Sequence, residues 1–569
     1  MSTENTSPSK PAEDYFFRAS ASDFNKIPGS PIAYWVSDTV RSLFSSDETI
    51  NTIGNARAGL TTGDNTIFQR HWFEIERRLM STTAKDIQDT CNSSNRWFPC
   101  NSGGDFRKWF GNNLIVVNWE NDGKKIRKFA APDGRLKASP RSSHYYFKPG
   151  VTWSKISSGK FAARYFDVGF IFDDTGQSVF PENGRSAYDL ALTLCSNTSN
   201  YFLSYLSQTL SYNKGDIARI PIPKNSLYNK ELAMECISIA RRDWDNFETS
   251  WGFLDQPLLR DELKTKSLCK NWANWDSQCK DSITKMQELE AENNRLWIDA
   301  YGLQDELTPE VPEKEITLAR ADPKKDMAAF ISYAIGCMFG RYSLDKPGLI
   351  LANAGESIED YIRKVKSESE GDSISFMLDD DNIIPVLDGE WFDDDIVARF
   401  REFLKVTFGE ATLRENIDFI EESLGKELRK YFVTDFYKDH LKTYKKRPIY
   451  WLFQSPKKSF QALIYLHRYN RDTVNLLLND YLREFQEKLK NRRKHLDEIL
   501  ASESTSPRDK TAATKEQTKI DKALPELADW EREEILPLAQ QRLEIDLDDG
   551  VKVNYPKFGK ALAKIPGVS

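Results

Sequence analysis

The sequence lacks the signatures of most known enzyme classes. No two glycines stand two residues apart anywhere in its 569 residues, so the closely spaced glycines of a Rossmann-type nucleotide or S-adenosylmethionine site are missing. It has no Pro-Pro dipeptide, which excludes the Asp/Asn-Pro-Pro-Tyr motif that holds the target nitrogen in amino-methyltransferases. Walker A, HExxH, GxSxG and protein-kinase motifs are absent as well. The sequence therefore predicts neither catalytic nor cofactor-binding residues in this chain.

Cysteine, histidine and long apolar runs are also scarce. The seven cysteines never form CxxC, and Cys91, Cys100 and His144 are too irregularly spaced for a good zinc template, so we expect buried thiols and no metal. No apolar run approaches the roughly 18–20 residues that cross a membrane. The first fourteen residues, MSTENTSPSKPAED, lack a signal-peptide core and predict a flexible leader. These features favour a protein of the reducing cytoplasm, without membrane association.

The charge is unevenly distributed, although the net charge is only −7. Residues 103–165 contain thirteen Lys or Arg against four Asp or Glu, and residues 441–495 contain fourteen against four. Residues 367–395 hold eleven acids and no Lys or Arg. Two basic segments in an acidic chain favour an anionic partner, although solvated faces balanced by acidic neighbours are the plainer alternative.

Short apolar runs in the first part of the chain and helical periodicity in the rest predict an α+β protein. Short aromatic and β-branched runs between Gly, Asn and Ser predict a loop-rich β-containing module, and NDG at residues 121–123 predicts a hairpin turn. ALTLCSNTSNYFLSYLSQTL predicts one helix, and helix dominates after about residue 226. Leucines near the C-terminus predict a long antiparallel helical hairpin. The expected divisions are a flexible leader and connector (1–45), a β-rich module (46–225), a mainly helical domain (226–470), and a helical hairpin and tail (471–569).

Two aspartate triplets, at residues 379–381 and 393–395, raise the possibility of a magnesium-dependent nuclease. A nuclease site also requires a Lys near its carboxylates, and residues 367–395 contain no Lys. We therefore expect a solvated acidic loop or a partner for the basic segments.

Recognition chemistry is better represented than catalysis. From residue 103 onward, basic residues alternate with aromatics and amides in FRKWFGNN, KKIRKF and GRLKASPRSSHYYFKPGVTWSK. Lys and Arg neutralise phosphates, whereas Arg, Asn and Gln can read base edges in the major groove. Such interleaving also occurs on ordinary β surfaces, and we expect Trp72, Trp109, Trp119 and Trp153 to be core residues. KRPIYW, at residues 446–451, suits either contact with the DNA backbone or packing.

Several phrases together resemble PglX-type adenine-specific DNA methyltransferases of bacteriophage exclusion (BREX) systems. They include FNKIPGSPIAYWVS, GLTTGDNTIFQRHWFE, FRKWFGNNLIVVNWENDG, GDIARIPIP, ISYAIGCMFGRYSLDKPGLI and LDDGVKVNY. The resemblance runs from about residue 24 to the C-terminus, and TG-x-N and KRPIYW are shared more distantly with type IIG restriction-modification enzymes. One departure is large, because the family's S-adenosylmethionine-dependent catalytic domain has no counterpart here. The resemblance therefore implies a recognition and C-terminal part, with residues 59–223 as the target-recognition domain.

The resemblance and the basic segment lead to one function. We expect a sequence-specific double-stranded DNA recognition subunit that positions DNA for a separate methyltransferase lobe, which binds S-adenosylmethionine and methylates adenine N6. Other BREX proteins are further candidate partners. The expected DNA-contacting residues are Thr62, Gly63, Asp64, Asn65, Arg70, Arg107, Lys108, Asn112, Lys124, Lys125, Arg127, Arg141, Lys155 and Arg164. Thr62 to Asn65 are expected to form a turn that either touches DNA or presents Arg70.

Two alternatives stay open from the sequence. The acidic loop and the long helical hairpin also suit an interaction scaffold for other phage-defence proteins that binds DNA weakly and without sequence preference. An autonomous enzyme is the third hypothesis, against which the missing motifs argue.

Overall fold

The computed structural model describes residues 27–28, 36–45, 48–157, 159–207, 209–224, 228–366 and 373–568. The first 26 residues, which include the expected flexible leader, lie outside this range, as do residues 367–372 of the acidic stretch. The chain divides into two compact units built from separate stretches of sequence. Unit one comprises residues 1–68, 81–244 and 281–318, and unit two comprises residues 69–80, 245–280 and 319–569.

Unit one contains short strands that form small sheets. One antiparallel sheet has the order Gly54–Arg57, Ser178–Pro181, Gly150–Trp153 and Ala163–Phe166. The last two of these strands are buried at every residue, so both faces of the sheet are covered there. In a second group, Trp97–Asn101 pairs antiparallel with Ile115–Asn118 and parallel with Ile171–Phe172. Leu60–Thr61 and Ser139–Pro140 form an isolated antiparallel pair.

Helices surround these strands in unit one. The expected single helix over residues 191–210 is wrong, because Ser196 accepts a hydrogen bond from the Ser199 backbone N–H and starts a second helix. A 34-residue helix, Leu268–Tyr301, runs from unit two into unit one. The other helices of unit one are Asp38–Leu43, Ile50–Ile53, Asn65–Phe68, Ile87–Cys91, Glu120–Arg127, Ala187–Leu194, Asn197–Leu206, Lys214–Ala218 and Lys230–Asp245.

The expected hairpin turn at NDG is also wrong. Asn121, Asp122 and Gly123 have φ of 52°, 56° and 64°, and these three left-handed residues begin the Glu120–Arg127 helical segment. The Asp122 backbone N–H donates to the Thr90 hydroxyl over 3.1 Å, which holds the turn. After the turn the chain continues as a helix and does not form a strand that pairs with Ile115–Asn118.

Tryptophan forms much of the interior, as expected. Trp109, Trp119 and Trp153 in unit one are at most 1% exposed, and Trp72 in unit two is 2% exposed. All four are confirmed as core residues.

Unit two combines a small sheet with many helices. The strands Ile384–Pro385, Gln461–Tyr465 and Tyr450–Gln454 form an antiparallel sheet in that order, and Gln69–His71 is a further short strand. KRPIYW enters this sheet with Ile449, Tyr450 and Trp451 fully buried, which favours packing for that part of the motif. The helices of unit two are Pro323–Met338, Ile358–Lys366, Ile396–Phe408, Leu413–Leu424, Leu428–Tyr431, Tyr437–Thr443, Thr473–Leu476, Glu484–Ala501, Pro507–Trp530, Leu536–Gln541 and Val551–Asn554.

The predicted helical hairpin near the C-terminus is confirmed. Helices Glu484–Ala501 and Pro507–Trp530 are joined by five residues and run antiparallel, as their cross-pairs show. Arg492 pairs with Glu516 at 2.7 Å, and Arg483 pairs with Glu531 at 2.8 Å. The long helices and the small sheets confirm the α+β class. Within the described residues, no helix has both the length and the apolar character that crossing a bilayer requires.

Candidate nucleic-acid interface

The TGDN turn is held by its own side chains. Thr62 is buried, and its hydroxyl hydrogen-bonds to the Asn65 side chain. The Asp64 carboxylate accepts from the Thr66 backbone N–H over 2.9 Å, at the start of the short Asn65–Phe68 helix. These contacts give Thr62 and Asp64 a turn-shaping role.

Gly63 lies against a basic loop, which we define as residues 128–141. Gly63 has φ +79°, and a Cβ added there would stand 2.8 Å from the Lys137 Cβ. The strand before the turn, Leu60–Thr61, pairs with Ser139–Pro140 of the loop, and Phe68 meets Phe129 edge to face at 5.1 Å. Only glycine therefore fits where the turn approaches the loop. The structure brings the TGDN turn and the basic loop together.

The basic loop has a closed backbone and an exposed tip. The Ala131 N–H donates to the Arg135 carbonyl over 2.8 Å, and the Lys137 N–H donates to the Phe129 carbonyl over 2.9 Å. Gly134, at φ +82°, makes the reversal, and its surroundings are open. The ammonium of Lys137 lies over the Phe129 ring at 5.2 Å. Backbone bonds thus fix the loop while its cationic side chains face solvent.

Arg141 and Lys155 share one acidic partner in unit one. The Asp174 carboxylate accepts from Lys155 over 2.7 Å and from Arg141 over 3.3 Å, and Arg141 also donates to the Thr61 hydroxyl over 2.8 Å. All three charged side chains are partly exposed. Exposed pairs of this kind are worth about 0–1 kcal/mol, so a phosphate can compete with Asp174 for both cations.

The expected residues Lys124, Lys125 and Arg127 lie on the helix that leads into the basic loop. Lys125 is 3.5 Å from Glu120, and Arg127 pairs with Asp122 at 3.0 Å. Lys124 is exposed, and the described residues contain no ion pair with it. Between residues 124 and 141 the sequence has seven Lys or Arg and one acid, a local charge of +6.

Three expected cations lie inside unit one instead. Arg164 is 2% exposed, and burial, helped by the charge of Arg107, lowers its pKa to about 10. Lys108 is 8% exposed and pairs with the buried Glu290. Arg107 donates to Asp243 over 2.8 Å and to the Phe110 carbonyl over 2.7 Å. These positions exclude direct contact with DNA for Arg164 and Lys108 unless unit one rearranges.

The Asn112 side chain donates to the Asp105 carbonyl over 2.8 Å, and Asn112 has φ +61°. Its amide therefore stabilises a turn within the Gly103–Gly111 segment. This contact uses one of the two amide hydrogens and leaves the other hydrogen and the amide oxygen.

Arg70 belongs to unit two, unlike the turn that precedes it. Its Nε donates to the Asp548 carbonyl over 3.1 Å, and its stem packs on Gly550. Burial lowers the pKa of Arg70, and the charge of Glu74 opposes that effect. These contacts hold the Arg70 side chain within unit two.

Glu74 closes the same network in unit two. Burial favours its neutral form, but hydrogen bonds from the His71 ring at 3.2 Å and from the Val551 backbone N–H at 2.9 Å outweigh burial. The pKa of Glu74 is therefore held below its usual range. The hydrogen bond between His71 and Glu74 therefore stabilises local structure. This contact explains the position of the His71 ring without a catalytic role.

Sequence reasoning missed three cations that the structure adds to the cluster. Lys128, Arg135 and Lys137 are exposed in the basic loop. The sequence GRLKASPR, at residues 134–141, already indicates a basic loop, because it contains three cations within eight residues. Only the pairing of Leu60–Thr61 with Ser139–Pro140 shows that they adjoin the TGDN turn.

The aspartate triplets of unit two are tied to protein groups. The Tyr481 hydroxyl lies 2.8 Å from Asp381 and 2.7 Å from Asp394, and Arg429 binds both oxygens of Asp395. Asp395 is 1% exposed, so part of the acidic stretch is packed and is not a solvated loop. Arg468 of the basic segment 441–495 donates to the Asp379 carbonyl over 2.8 Å, which favours the alternative of a partner for that segment. No group of three metal-ligating side chains occurs among the described residues.

Two known proteins match nearly the whole chain. It is 38% identical over 574 residues to the adenine-specific methyltransferase PglX of Lacticaseibacillus casei (strain Zhang), a match that covers 97% of this chain. This chain is a relative of PglX-type adenine-specific methyltransferases. It is also 34% identical over 583 residues, or 96% of its length, to the adenine-specific methyltransferase BrxX of Escherichia coli O9:H4 (strain HS). Both matches cover 46% of the relative, so the chain spans about half the length of these methyltransferases. No protein-family model matches it.

S-adenosylmethionine, the methyl donor that the resemblance implies, does not fit the described residues. A nucleotide-type site of the Rossmann kind lies at the carboxyl ends of a parallel sheet. The strand pairs within each described unit are antiparallel, apart from one short parallel pair, Trp97–Asn101 with Ile171–Phe172, and isolated bridges. We therefore assign no step of methyl transfer to these residues.

Proposed function

We propose that this chain is a sequence-specific recognition part for double-stranded DNA in an adenine-N6 methyltransferase of BREX-type phage defence. The basic loop and its neighbours in unit one bind the duplex. The methyl-transferring lobe, with its S-adenosylmethionine, acts from outside these 569 residues, and the complex works in the cytoplasm. The relatives named as adenine-specific methyltransferases support this assignment, because they match nearly all of the chain.

The observation that carries the proposal is the concentration of cations beside the TGDN turn. Seven cations and one acid occupy residues 124–141, and Lys124, Lys128, Arg135 and Lys137 expose their charges without an acidic partner among the described residues. A net local charge of +6 is suited to the phosphates of a duplex, where one negative charge occurs about every 1.7 Å of helix axis.

In this proposal, one set of side chains positions unit one on the DNA and another side chain reads the base sequence. Lys128, Arg135 and Lys137 neutralise phosphates, which orients unit one on the duplex but carries no sequence information. Arg141 is the candidate for reading a base edge, because its guanidinium is already held by Thr61 and Asp174 in one orientation. Bidentate contact of arginine with guanine is the commonest specific contact in the major groove.

Selection from random duplexes tests the proposal. The purified chain is incubated with a pool of duplexes that carry a random central segment, and bound DNA is amplified and sequenced. We expect one short motif to be enriched and bound at least about 10³-fold more tightly than scrambled DNA. Arg141→Ala should relax the preference at one base pair while the remaining motif survives.

A matched control separates reading from general charge. Lys522→Ala in the helical hairpin removes one exposed cation outside both basic segments, as Arg141→Ala does inside one, and should leave the motif unchanged. Binding without any enriched motif would instead favour the interaction scaffold. Methyl transfer from S-adenosylmethionine by the purified chain alone would contradict the assignment of catalysis to another lobe.

A further inference from the structure

One large apolar side chain stands among the cations of the basic loop. Leu136 is 61% exposed and lies between Arg135 and Lys137, which are both exposed. An isolated exposed leucine is common on protein surfaces and by itself needs no explanation. An exposed leucine between two exposed cations is less common, because the positive charges attract a polyanion to the position of the apolar side chain.

The backbone holds Leu136 in a fixed place. Ala130 and Leu136 form an antiparallel bridge, and hydrogen bonds close the loop on either side, from the Ala131 N–H to the Arg135 carbonyl and from the Lys137 N–H to the Phe129 carbonyl. The Gly134 N–H also donates to the Ala131 carbonyl over 2.9 Å. A closed loop loses little backbone freedom on binding, so contact made by Leu136 costs little ordering.

The loop is anchored at its base as well. Phe129 packs on Phe68, and Ser139–Pro140 pairs with Leu60–Thr61. Ala138, between the tip and that strand pair, is buried. The tip therefore projects from a packed base, with Leu136 and its flanking cations presented together.

We propose that Leu136 enters a groove of the bound duplex and inserts between adjacent base pairs. The inference rests on the proposed DNA binding, but it is a separate claim about what the loop does to the duplex. The largest apolar surfaces of a duplex are the faces of its bases, so a leucine held between Arg135 and Lys137 can reach those faces once the phosphates are neutralised. Apolar wedges of this kind unstack a base step and kink the duplex.

Insertion predicts a preference for DNA whose stacking is already broken. A perfect duplex must be unstacked during binding, whereas a duplex with a single-base bulge has that step open beforehand. The full chain should therefore bind a bulged duplex about tenfold or more tightly than the perfect duplex of the same sequence, as measured by fluorescence anisotropy. Leu136→Ala should bind the two duplexes within about twofold of each other.

Two control variants separate insertion from charge and from surface polarity in general. Lys137→Ala should weaken binding to both duplexes by the same factor and keep the preference for the bulge. Ile156→Ala removes a 71% exposed apolar side chain elsewhere in unit one and should behave as the unaltered chain does.

The outcomes distinguish the two proposals. If the unaltered chain binds both duplexes equally, or if Leu136→Ala keeps the preference, insertion is overturned and the proposed DNA recognition stands. Both duplexes carry the motif enriched in the selection from random duplexes, so an unaltered chain that binds neither duplex contradicts both proposals. Loss of the preference in Leu136→Ala alone supports insertion.

Discussion

Lys108 gives a prediction that separates structural cations from DNA-binding ones. Lys108 lies in the most basic part of unit one, yet its ammonium contacts the carboxylate of Glu290, which also accepts from the Trp109 indole over 2.9 Å. Lys108→Met keeps most of the apolar stem and removes only the charge. Glu290 is then left buried with one hydrogen-bond donor and no cation.

The size of the effect depends on the protonation of Glu290. Burial already raises the pKa of Glu290, and the Lys108 charge opposes that rise, so the variant should raise it further. Breaking a buried pair costs about 3–5 kcal/mol. Glu290 can avoid the cost of a buried, unpaired charge by taking up a proton. Protonating a carboxyl with an ordinary pKa of 4.5 costs about 3.4 kcal/mol at pH 7, so this is the upper limit of the electrostatic loss. At about pH 5.5 the same cost is only about 1.4 kcal/mol.

The sign of the pH dependence is set by this shift. An acid whose folded-state pKa is raised destabilises the fold as pH rises above the unfolded value, here 4.5. The loss of stability in Lys108→Met should therefore grow between about pH 5.5 and about pH 7, by no more than about 2 kcal/mol, because the raised pKa of Glu290 gives the unaltered chain part of the same pH dependence. Urea denaturation of the variant and the unaltered chain at both pH values measures it.

Lys124→Met is the matched control, because Lys124 is exposed in the same basic segment. It should change stability by less than about 0.5 kcal/mol at either pH but weaken binding to duplex DNA. A Lys108→Met variant that is as stable as the unaltered chain at both pH values, yet binds DNA less tightly, would refute the structural assignment of Lys108.

Side chains in the two units give three further predictions. Asp174→Asn releases the two cations paired with it, so affinity for duplexes of arbitrary sequence should rise several-fold in anisotropy titrations, and unchanged or weaker binding would contradict the proposed competition with phosphate. Gly63→Ala forces a left-handed alanine against Lys137, so urea denaturation should show a loss of about 1–2 kcal/mol, and an unchanged midpoint would count against the close approach. Burial lowers the pKa of both His440 and His467 to about 3, so unit two should lose stability as pH falls below about 6.5. His467→Gln should reduce that slope by about 1.4 kcal/mol per pH unit, and a slope equal to that of the unaltered chain would argue against a buried neutral His467.

Local signals were enough to predict parts of the fold. Ser37 followed by Asp38 is a typical helix start, and the Ser37 hydroxyl accepts from the Val40 backbone N–H at the beginning of Asp38–Leu43. The apolar seam near the C-terminus likewise predicts the hairpin of Glu484–Ala501 and Pro507–Trp530. The NDG residues do adopt the left-handed conformations of a tight turn, but a helix follows them instead of a second strand, and the turn is held by the distant Thr90 hydroxyl.

The candidate interface was harder to predict, because long-range pairing decides which cations are exposed. Lys108 and Lys124 look alike in a basic sequence, but Lys108 meets Glu290 across 182 residues and Lys124 meets no acid among the described residues. Composition alone pointed to the segment that carries the candidate interface. It could not tell which of the thirteen cations in residues 103–165 face solvent.

The salt dependence of duplex binding tests the central claim most directly. Each phosphate contact contributes about 0.9 to the slope of log affinity against log salt concentration. Replacing Lys128, Arg135 and Lys137 together by Ala should reduce that slope by about 2.7. Replacing Arg508, Lys515 and Lys522 together by Ala removes the same charge from the helical hairpin, outside both basic segments, and should leave the slope unchanged. Equal slopes for the basic-loop variant and the unaltered chain would contradict the proposed interface.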